Sequence, residues 1–483
     1  MEWAFQPAVE LARAIRDRRI GCVELLEIHL ERVRRYNQAL NAIVVLDAER
    51  AMDRARRADE ALANGDIWGA LHGAPMTVKE AFDIAGLPTT WGVPALRGNV
   101  AGANAAAVDG LLSAGAIVFG KTNVPLMISD WQTFNEIYGT TNNPWDLGRG
   151  PGGSSGGSAA ALAAGLAALE IGSDIGASIR NPAHYCGVYG HKPSFGVVPQ
   201  AGHAIPGGRV PIDILVCGPL ARSAGDLAAA MEAIAGPEPE DCAAWRLALP
   251  PPRRTALRDF RVAVMPEDPN CRVDTAVLDR IQAAADAVAK AGATVDDRAR
   301  PEIDTSRAHA LYLQLLRGAT GALAGPEAFA DMKAQAQGLR PDDDSYRARV
   351  LRGATQDHRA WFAAHESRQQ LRSRWARFFA DWDVLLCPVA ASAAFPHDQA
   401  RERPDRTIMV NGREENYNDQ LFWAGLPSLV YLPATAAPAG LTPSGLPVGA
   451  QIVGPYLQDR TTIEFARLLA DEIGGFVPPP GYD

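Results

Sequence analysis

Residues 149–182, RGPGGSSGGSAAALAAGLAALEIGSDIGASIRNP, constrain this chain more than any other stretch. Gly152, Gly153, Gly156 and Gly157 bracket Ser154 and Ser155. Glycine admits positive φ and close backbone approach, so such a loop can present hydroxyls and free N–H groups to a ligand. From Ser158 to Leu169 the residues are nearly all Ala and Leu, with one Gly, a composition that favours a closely buried helix. A second tight turn is expected at 172–177, with Ser178 at its end. Gly/Ser runs are more often flexible linkers. A linker, however, does not lead straight into an apolar helix-length run and another tight turn. The phosphate-loop spacing G-x-x-x-x-G-K-[ST] is missing because no Lys follows the glycines, and the G-x-S-x-G elbow is absent too. Two serines on Gly-rich turns, joined by one buried helix, suggest a hydrolytic site.

A serine hydrolase needs a group to take the hydroxyl proton. Upstream, residues 71–80 (LHGAPMTVKE) read as a short strand, and Met76, Val78, Ala81 and Phe82 belong in a core. Lys79 then sits among apolar neighbours. A Lys beside a strand is ordinarily solvated or paired, because burying an ammonium is costly. A desolvated Lys has a lowered pKa and can act as a base. The nine histidines are scattered; His184 and His191 lie near the motif without zinc-site spacing, and both read as core or surface residues. A Ser-His-Asp triad stays open, since its members can be distant in sequence.

With these residues in view, the chain resembles the amidase signature family of Ser-Ser-Lys amide hydrolases. The resemblance rests on HGAPMTVKEAFDIAGLPTTWG, GKTNVP at 120–125, YGTTNNPWDLGRGPGGSSGGSAAALAAG, LEIGSDIGASIRNPAHYCGVYGHKPS and GLPVGAQIVGP at 445–455. It implies Ser178 as nucleophile, Ser154 as bridging serine after a cis peptide at Gly153, and Lys79 as terminal base and acid. It implies an oxyanion hole from the N–H groups of Ile175, Gly176, Ala177 and Ser178, with Asp174 and Arg180 bracing the turn. No metal or cofactor is implied. The implied fold is one α/β/α domain over 1–483, a central mixed sheet of about ten or more strands flanked by helices. Two positions depart from the family pattern. Ala177 stands where Gly is usual before the nucleophile, and would cost roughly 1–2 kcal/mol if φ is positive there. Glu80 stands where Asp is common, keeping the charge and changing its reach.

Composition fits this reading. A net charge of −9 and a pI near 5.6 argue against a nucleic-acid surface. The six cysteines, Cys186 beside the motif among them, show no C-x-x-C and read as reduced thiols of a cytoplasmic protein, most of them buried. No signal-peptide pattern is seen, and the longest apolar run, 159–169, is too short to span a bilayer. The expected partner is a small amide substrate, with no nucleic acid and no membrane; a homodimer is left open.

Along the chain, 7–65 reads as helices packed on the sheet and 71–220 as the motif core. A helix over 221–235 is capped by Ser223, and another over 274–290 by Asp274. Residues 261–265, 383–390 and 427–433 read as strands. The region 300–381 is helical, breaks near 325–326 and 338–344, matches the family least, and is expected to shape the substrate entrance. Candidate wall residues are Met127, Trp131, Gln132, Phe134 and Tyr138, with Phe422 and Trp423 further on; if they line the cleft they favour an aryl or other apolar group. Three functions compete: a stand-alone hydrolase of an amide, aryl acylamide, ester or carbamate; a glutaminase-type component of an amidotransferase that works with a partner; and a non-catalytic small-molecule binder on the same scaffold.

Overall fold

Runs of apolar residues with few polar interruptions set the strands, and a computed structural model, which describes residues 3–482, assembles them into one sheet. Its strands are β1 (Ile43–Leu46), β2 (Pro75–Lys79), β3 (Ile117–Thr122), β4 (Leu169–Asp174), β5 (Tyr189–Lys192), β6 (Val216–Ala221), β7 (Arg261–Val264), β8 (Thr294–Asp296), β9 (Val384–Pro388), β10 (Ala434–Leu441) and β11 (Pro447–Val453). Among the described residues these form an 11-stranded sheet in the order β1-β3-β2-β4-β6-β5-β10-β11-β9-β7-β8. Parallel pairing joins β3, β2 and β4, and again β9, β7 and β8; the strands between them run antiparallel. The sheet is therefore mixed. β2 and β4 are buried at every position, as expected for parallel strands covered on both faces.

Helices cover the sheet, and one apolar cluster runs from Ala8 to Tyr482. The amphipathic N-terminal segment forms helices Ala8–Arg16, Cys22–Leu40 and Ala48–Ala63, interrupted by the edge strand β1. Ser223 and Asp274 cap helices Ala224–Ile234 and Thr275–Lys290, each side chain accepting from a backbone N–H of the first turn. The Ala-rich run forms a shorter helix than its composition suggests, Gly156–Ala163, before the chain turns at Gly165 into β4. The helical region after 300 divides into Thr305–Gly321, Pro326–Gln337, Tyr346–Ala354 and His358–Asp381. The last break is fixed by Asp357, which caps the final helix by accepting from Ala360 N.

The strand expected over 427–433 is not formed. Helix Leu421–Ser428 runs through Pro427, and the strand begins at Ala434. A short buried apolar run carries no periodicity that separates helix from strand. The cysteines are free, five buried and Cys242 exposed. His184 and His191 are buried core residues: His184 contacts the carbonyls of Ser392 and Gly449, and His191 contacts Thr435 and Asp459. No helix among the described residues is long and apolar enough to cross a membrane.

Candidate active site

Two adjacent parallel strands bring the site together. Thr77 and Val78 of β2 lie opposite Glu170 and Ile171 of β4, so Lys79 and Ser173 emerge side by side at the carboxyl ends of the pair, where open α/β sheets place their ligands. Lys79 is wholly buried. Its Nζ lies 2.7 Å from Ser154 Oγ, 3.0 Å from Ser155 Oγ and 3.0 Å from Ser173 Oγ. Burial pushes its pKa down from 10.5 to about 7, against the opposing pull of Asp174, Cys217 and Glu170. Glu170 is itself pushed up to about 7 by burial, although Thr77 Oγ1 donates to its Oε1 at 2.6 Å. At neutral pH, Lys79 is poised between its two protonation states.

The Gly/Ser loop reaches Lys79 only because it packs backbone against backbone. A Cβ on Gly153 would lie 2.4 Å from the Asp130 carbonyl oxygen. Gly152 has φ +84, and the Gly153–Ser154 peptide is cis. The two serine turns meet where Ser155 N–H donates to the Ser178 carbonyl at 3.1 Å. Ser154 and Ser178 are both buried, and Ser178 borders a cavity of about 110 Å³. The Ser154 and Ser178 hydroxyls form no hydrogen bond with each other in this conformation; such bonds often tighten only when substrate binds.

The turn after β4 is organised by Asp174. Its carboxylate accepts from Ala177 N at 2.9 Å, Ile179 N at 3.1 Å, and Arg180 Nε and Nη2 at 3.0 and 2.8 Å. Burial alone would raise this carboxyl, but Arg180 holds it below its ordinary value. Arg180 in turn reaches Gln451 Oε1 at 2.6 Å and Ser428 Oγ at 3.0 Å, tying the turn to β11 and to helix Leu421–Ser428. The Ala177 N–H, one of the four expected oxyanion donors, is engaged by Asp174 in this conformation. The N–H groups of Ile175, Gly176 and Ser178 have no backbone partner. Tyr312 Oη donates to the Ile175 carbonyl at 2.9 Å and Trp131 Nε1 to the Gly176 carbonyl at 2.8 Å. Holding the Ile175 carbonyl fixes the peptide plane that carries the Gly176 N–H, and holding the Gly176 carbonyl fixes the plane that carries the Ala177 N–H. Ala177 has φ +66, so the strained alternative is the one adopted here.

Of the expected wall residues, Met127 and Trp131 line the cavity beside Ser178, together with Trp91, Leu316, Arg317 and Arg403. The other three are turned elsewhere. Gln132 bonds the backbone of Asp398 on both sides of its amide, Phe134 lies under Arg406, and Tyr138 Oη donates to Glu80 at 3.4 Å. Phe422 and Trp423 are core, and it is Leu421 that reaches the cavity. Glu80 uses its longer reach to accept from Thr90 N, Thr90 Oγ1 and Trp91 N at 2.6, 2.7 and 2.9 Å. The Cys186 thiol is buried and its pKa raised, so it is a poor nucleophile. Ser155, Ser173 and Tyr312 escaped the sequence reading. Two of them are serines of the motif itself: Ser155 follows Ser154 in the Gly/Ser loop and Ser173 stands near the end of β4, beside the strand that ends in Lys79. Among the described residues no group of three or more His, Cys, Asp or Glu side chains is placed to hold a metal ion.

Comparison with known proteins agrees with this geometry. The Amidase family profile matches residues 24–463. The chain is 32% identical to the A component of the glutamyl-tRNA(Gln) amidotransferase of Anaeromyxobacter dehalogenans, covering 98% of this chain and 99% of that one. It is 32% identical to an indoleacetamide hydrolase of Bradyrhizobium diazoefficiens, covering 97% and 86%. A solved structure from a vestigial protein complex bearing on the origins of an s-triazine catabolic enzyme superposes with a TM-score of 0.82 at 28% identity, covering 98% of this chain and 100% of that one. The chain belongs to the Amidase family, and its single α/β domain has that family's fold.

Proposed function

We propose that this Amidase-family chain hydrolyses a carboxylic amide through a serine acyl-enzyme, with Ser178 as nucleophile, Ser154 as relay and Lys79 as base. The observation that carries the reading is a fully buried Lys79, its pKa lowered to about 7, placed 2.7 Å from Ser154 Oγ. Neutral Lys79 takes the Ser154 proton while Ser154 takes that of Ser178, and Ser178 Oγ bonds to the carbonyl carbon. The resulting oxyanion is stabilised by the N–H groups of Ile175, Gly176 and Ser178, each donor worth about 3–4 kcal/mol when preorganised. The relay then returns the proton to the leaving nitrogen as the C–N bond breaks. Water repeats the sequence on the ester, regenerating Ser178 and releasing the acid.

A fluorophosphonate should label one serine, located by mass spectrometry at Ser178. Labelling that persists in Ser178→Ala would overturn the assignment. A second reading, the glutaminase component of a tRNA-dependent amidotransferase, is favoured by the relative of that name. It requires a partner, whereas the stand-alone reading expects the purified chain to cleave simple amides without ATP or tRNA. A non-catalytic binder would have no use for a desolvated amine beside a serine hydroxyl.

A further inference from the structure

The cavity beside Ser178 holds more positive charge than its lining accounts for. Two guanidinium groups, Arg317 from helix Thr305–Gly321 and Arg403 from the loop before strand Thr407–Val410, border it. Arg317 Nη2 donates to Tyr346 Oη, its guanidinium lies 5.5 Å from that ring, and its Nε is buried without a partner. Arg403 lies 5.4 Å from the Trp131 ring, donating through Nε to Asn418 Oδ1 at 3.1 Å and through Nη1 to the Ser129 carbonyl. Neither pairs with a carboxylate among the described residues. The acid in this cavity, Asp130, is already engaged by Arg406 Nη1, Tyr417 Oη and Trp131 N. Glu402, next to Arg403 in sequence, pairs with Arg347.

Buried arginines of this chain are held in two ways: Arg180 is matched by Asp174, Arg368 by Asp213 and Arg406 by Asp130, whereas Arg222 donates to the carbonyls of Phe5, Gln6, Leu162 and Ala167. Around this cavity the single carboxylate of Asp130 pairs with Arg406 and also acts on Arg403, so three guanidiniums, those of Arg317, Arg403 and Arg406, share one negative charge, and the excess favours an anionic partner supplied from outside. Guanidinium stays charged at any working pH and presents a fork suited to a carboxylate. Much of the remaining lining, with Trp91, Met127, Leu316 and Leu421, is apolar, beside the hydroxyls of Ser129 and Thr320, and apolar walls strengthen a charge contact by excluding water. The volume beside Ser178, about 110 Å³, suits a compact substrate.

We propose that the substrate of this site is a short amide bearing a carboxylate, which Arg317 and Arg403 hold in the cavity beside Ser178. The inference rests on the amide-hydrolase reading above. The test compares the purified wild-type chain on the half-amides malonamate, succinamate and glutaramate with uncharged propionamide and butyramide, following ammonia release. At least one half-amide should exceed the neutral amide of similar length in kcat/KM by about ten- to a hundredfold, the range for hydrogen bonds to a charged group. Arg317→Gln and Arg403→Gln should each shrink that ratio about tenfold or more, and succinate should slow fluorophosphonate labelling of the wild type but not of the variants. Neutral amides turned over as well as half-amides, or ratios unmoved in folded variants, would overturn this inference while leaving the hydrolase reading intact. Ser178 left unlabelled and no amide of either kind cleaved would instead overturn the hydrolase reading. If a variant fails to fold, the wild-type ratio still decides.

Discussion

Replacing Lys79 by Met should abolish turnover and, below neutral pH, stabilise the fold. The ammonium is wholly buried, its partners are three neutral hydroxyls and, at 3.4 Å, the Ser173 carbonyl, and Asp174, the carboxylate acting on it most strongly, is committed to Arg180. The fall in pKa from 10.5 to about 7, at about 1.4 kcal/mol per pH unit, sets a penalty of about 5 kcal/mol on the charged form. The unfolded chain keeps this proton up to about pH 10.5 and the folded chain only to about pH 7. Between those values the unfolded state binds more protons, so stability rises with pH. Below pH 7 the folded protein carries the whole penalty. Methionine removes it but forfeits hydrogen bonds to three serines, at about 0.5–1.5 kcal/mol each. The difference leaves Lys79→Met more stable by about 1–3 kcal/mol at pH 6 and less stable than wild type near pH 10. Urea unfolding of both proteins at the two pH values measures this, and the comparison cancels the titrations of groups that do not act on Lys79. Activity should fall by about 10²–10⁴ or more, and wild-type kcat/KM should rise with pH on a limb centred near 7. A variant destabilised equally at pH 6 and pH 10 would refute the reasoning, because Lys79 would then not be a desolvated amine.

Two backbone positions give further expectations. A Cβ on Gly157 would lie 2.4 and 2.7 Å from Asn123 N and O and 2.8 Å from the Ala42 carbonyl oxygen, so Gly157→Ala should cost about 3 kcal/mol or prevent folding, read by the urea midpoint and soluble yield. Ala177→Gly relieves a φ of +66, worth roughly 1–2 kcal/mol; after the greater freedom of an unfolded glycine is counted, stability should change by less than about 0.5 kcal/mol. Ala160→Gly in helix Gly156–Ala163 should cost about 1 kcal/mol by comparison, and equal costs at the two sites would contradict the strain.

The parts of this fold that were legible in the sequence are those where local chemistry decides the structure. Ser223 and Asp274 announce helix starts because a short polar side chain before an apolar-periodic run has one favourable use. The strands β7, apolar after Arg261, and β9 declare themselves by composition. The run 427–433 did not, since Pro427 and the apolar residues after it are compatible with either a buried strand or the end of a buried helix. At the site, the turns bearing Ser154 and Ser178 were legible from their glycines. The commitment of Ala177 N–H to Asp174 was not, because it depends on the rotation of one peptide plane. Nor were Tyr312 and Arg317, which enter from a helix more than a hundred residues away in sequence and meet the site only through packing.

Burial of a lysine is by itself a poor guide to a base, and this chain demonstrates the point three times. Lys79, Lys121 and Lys192 all end or nearly end strands, all are buried, and all have pKa values pushed down by burial, to about 7, 8 and 7. Sequence patterning treats them alike: each is a single cation in an apolar run followed by a turn. Their partners separate them. Lys121 reaches the Pro88 carbonyl and Thr89 Oγ1 and faces the Glu80 carboxylate, an arrangement that fastens the 80–91 segment to β3. Lys192 donates to the carbonyl of its own neighbour Pro193 and is held down further by Arg180. A carbonyl can accept a hydrogen bond but has no proton to give, so the Lys192 contact leads nowhere, and the Thr89 hydroxyl beside Lys121 donates only to the Phe82 carbonyl at 3.4 Å, where the path ends. Lys79 alone of the three is met by serine hydroxyls, groups that accept and donate at once, and one of them stands on the same pair of turns as Ser178. A relay needs an amine that is willing to be neutral and an uninterrupted set of exchangeable protons leading to the nucleophile. The strand end supplies the first wherever a lysine is buried. The Gly-rich loop, by bringing Ser154 to 2.7 Å from Lys79, supplies the first link of the second; in the proposed relay the Ser154–Ser178 link closes when substrate binds.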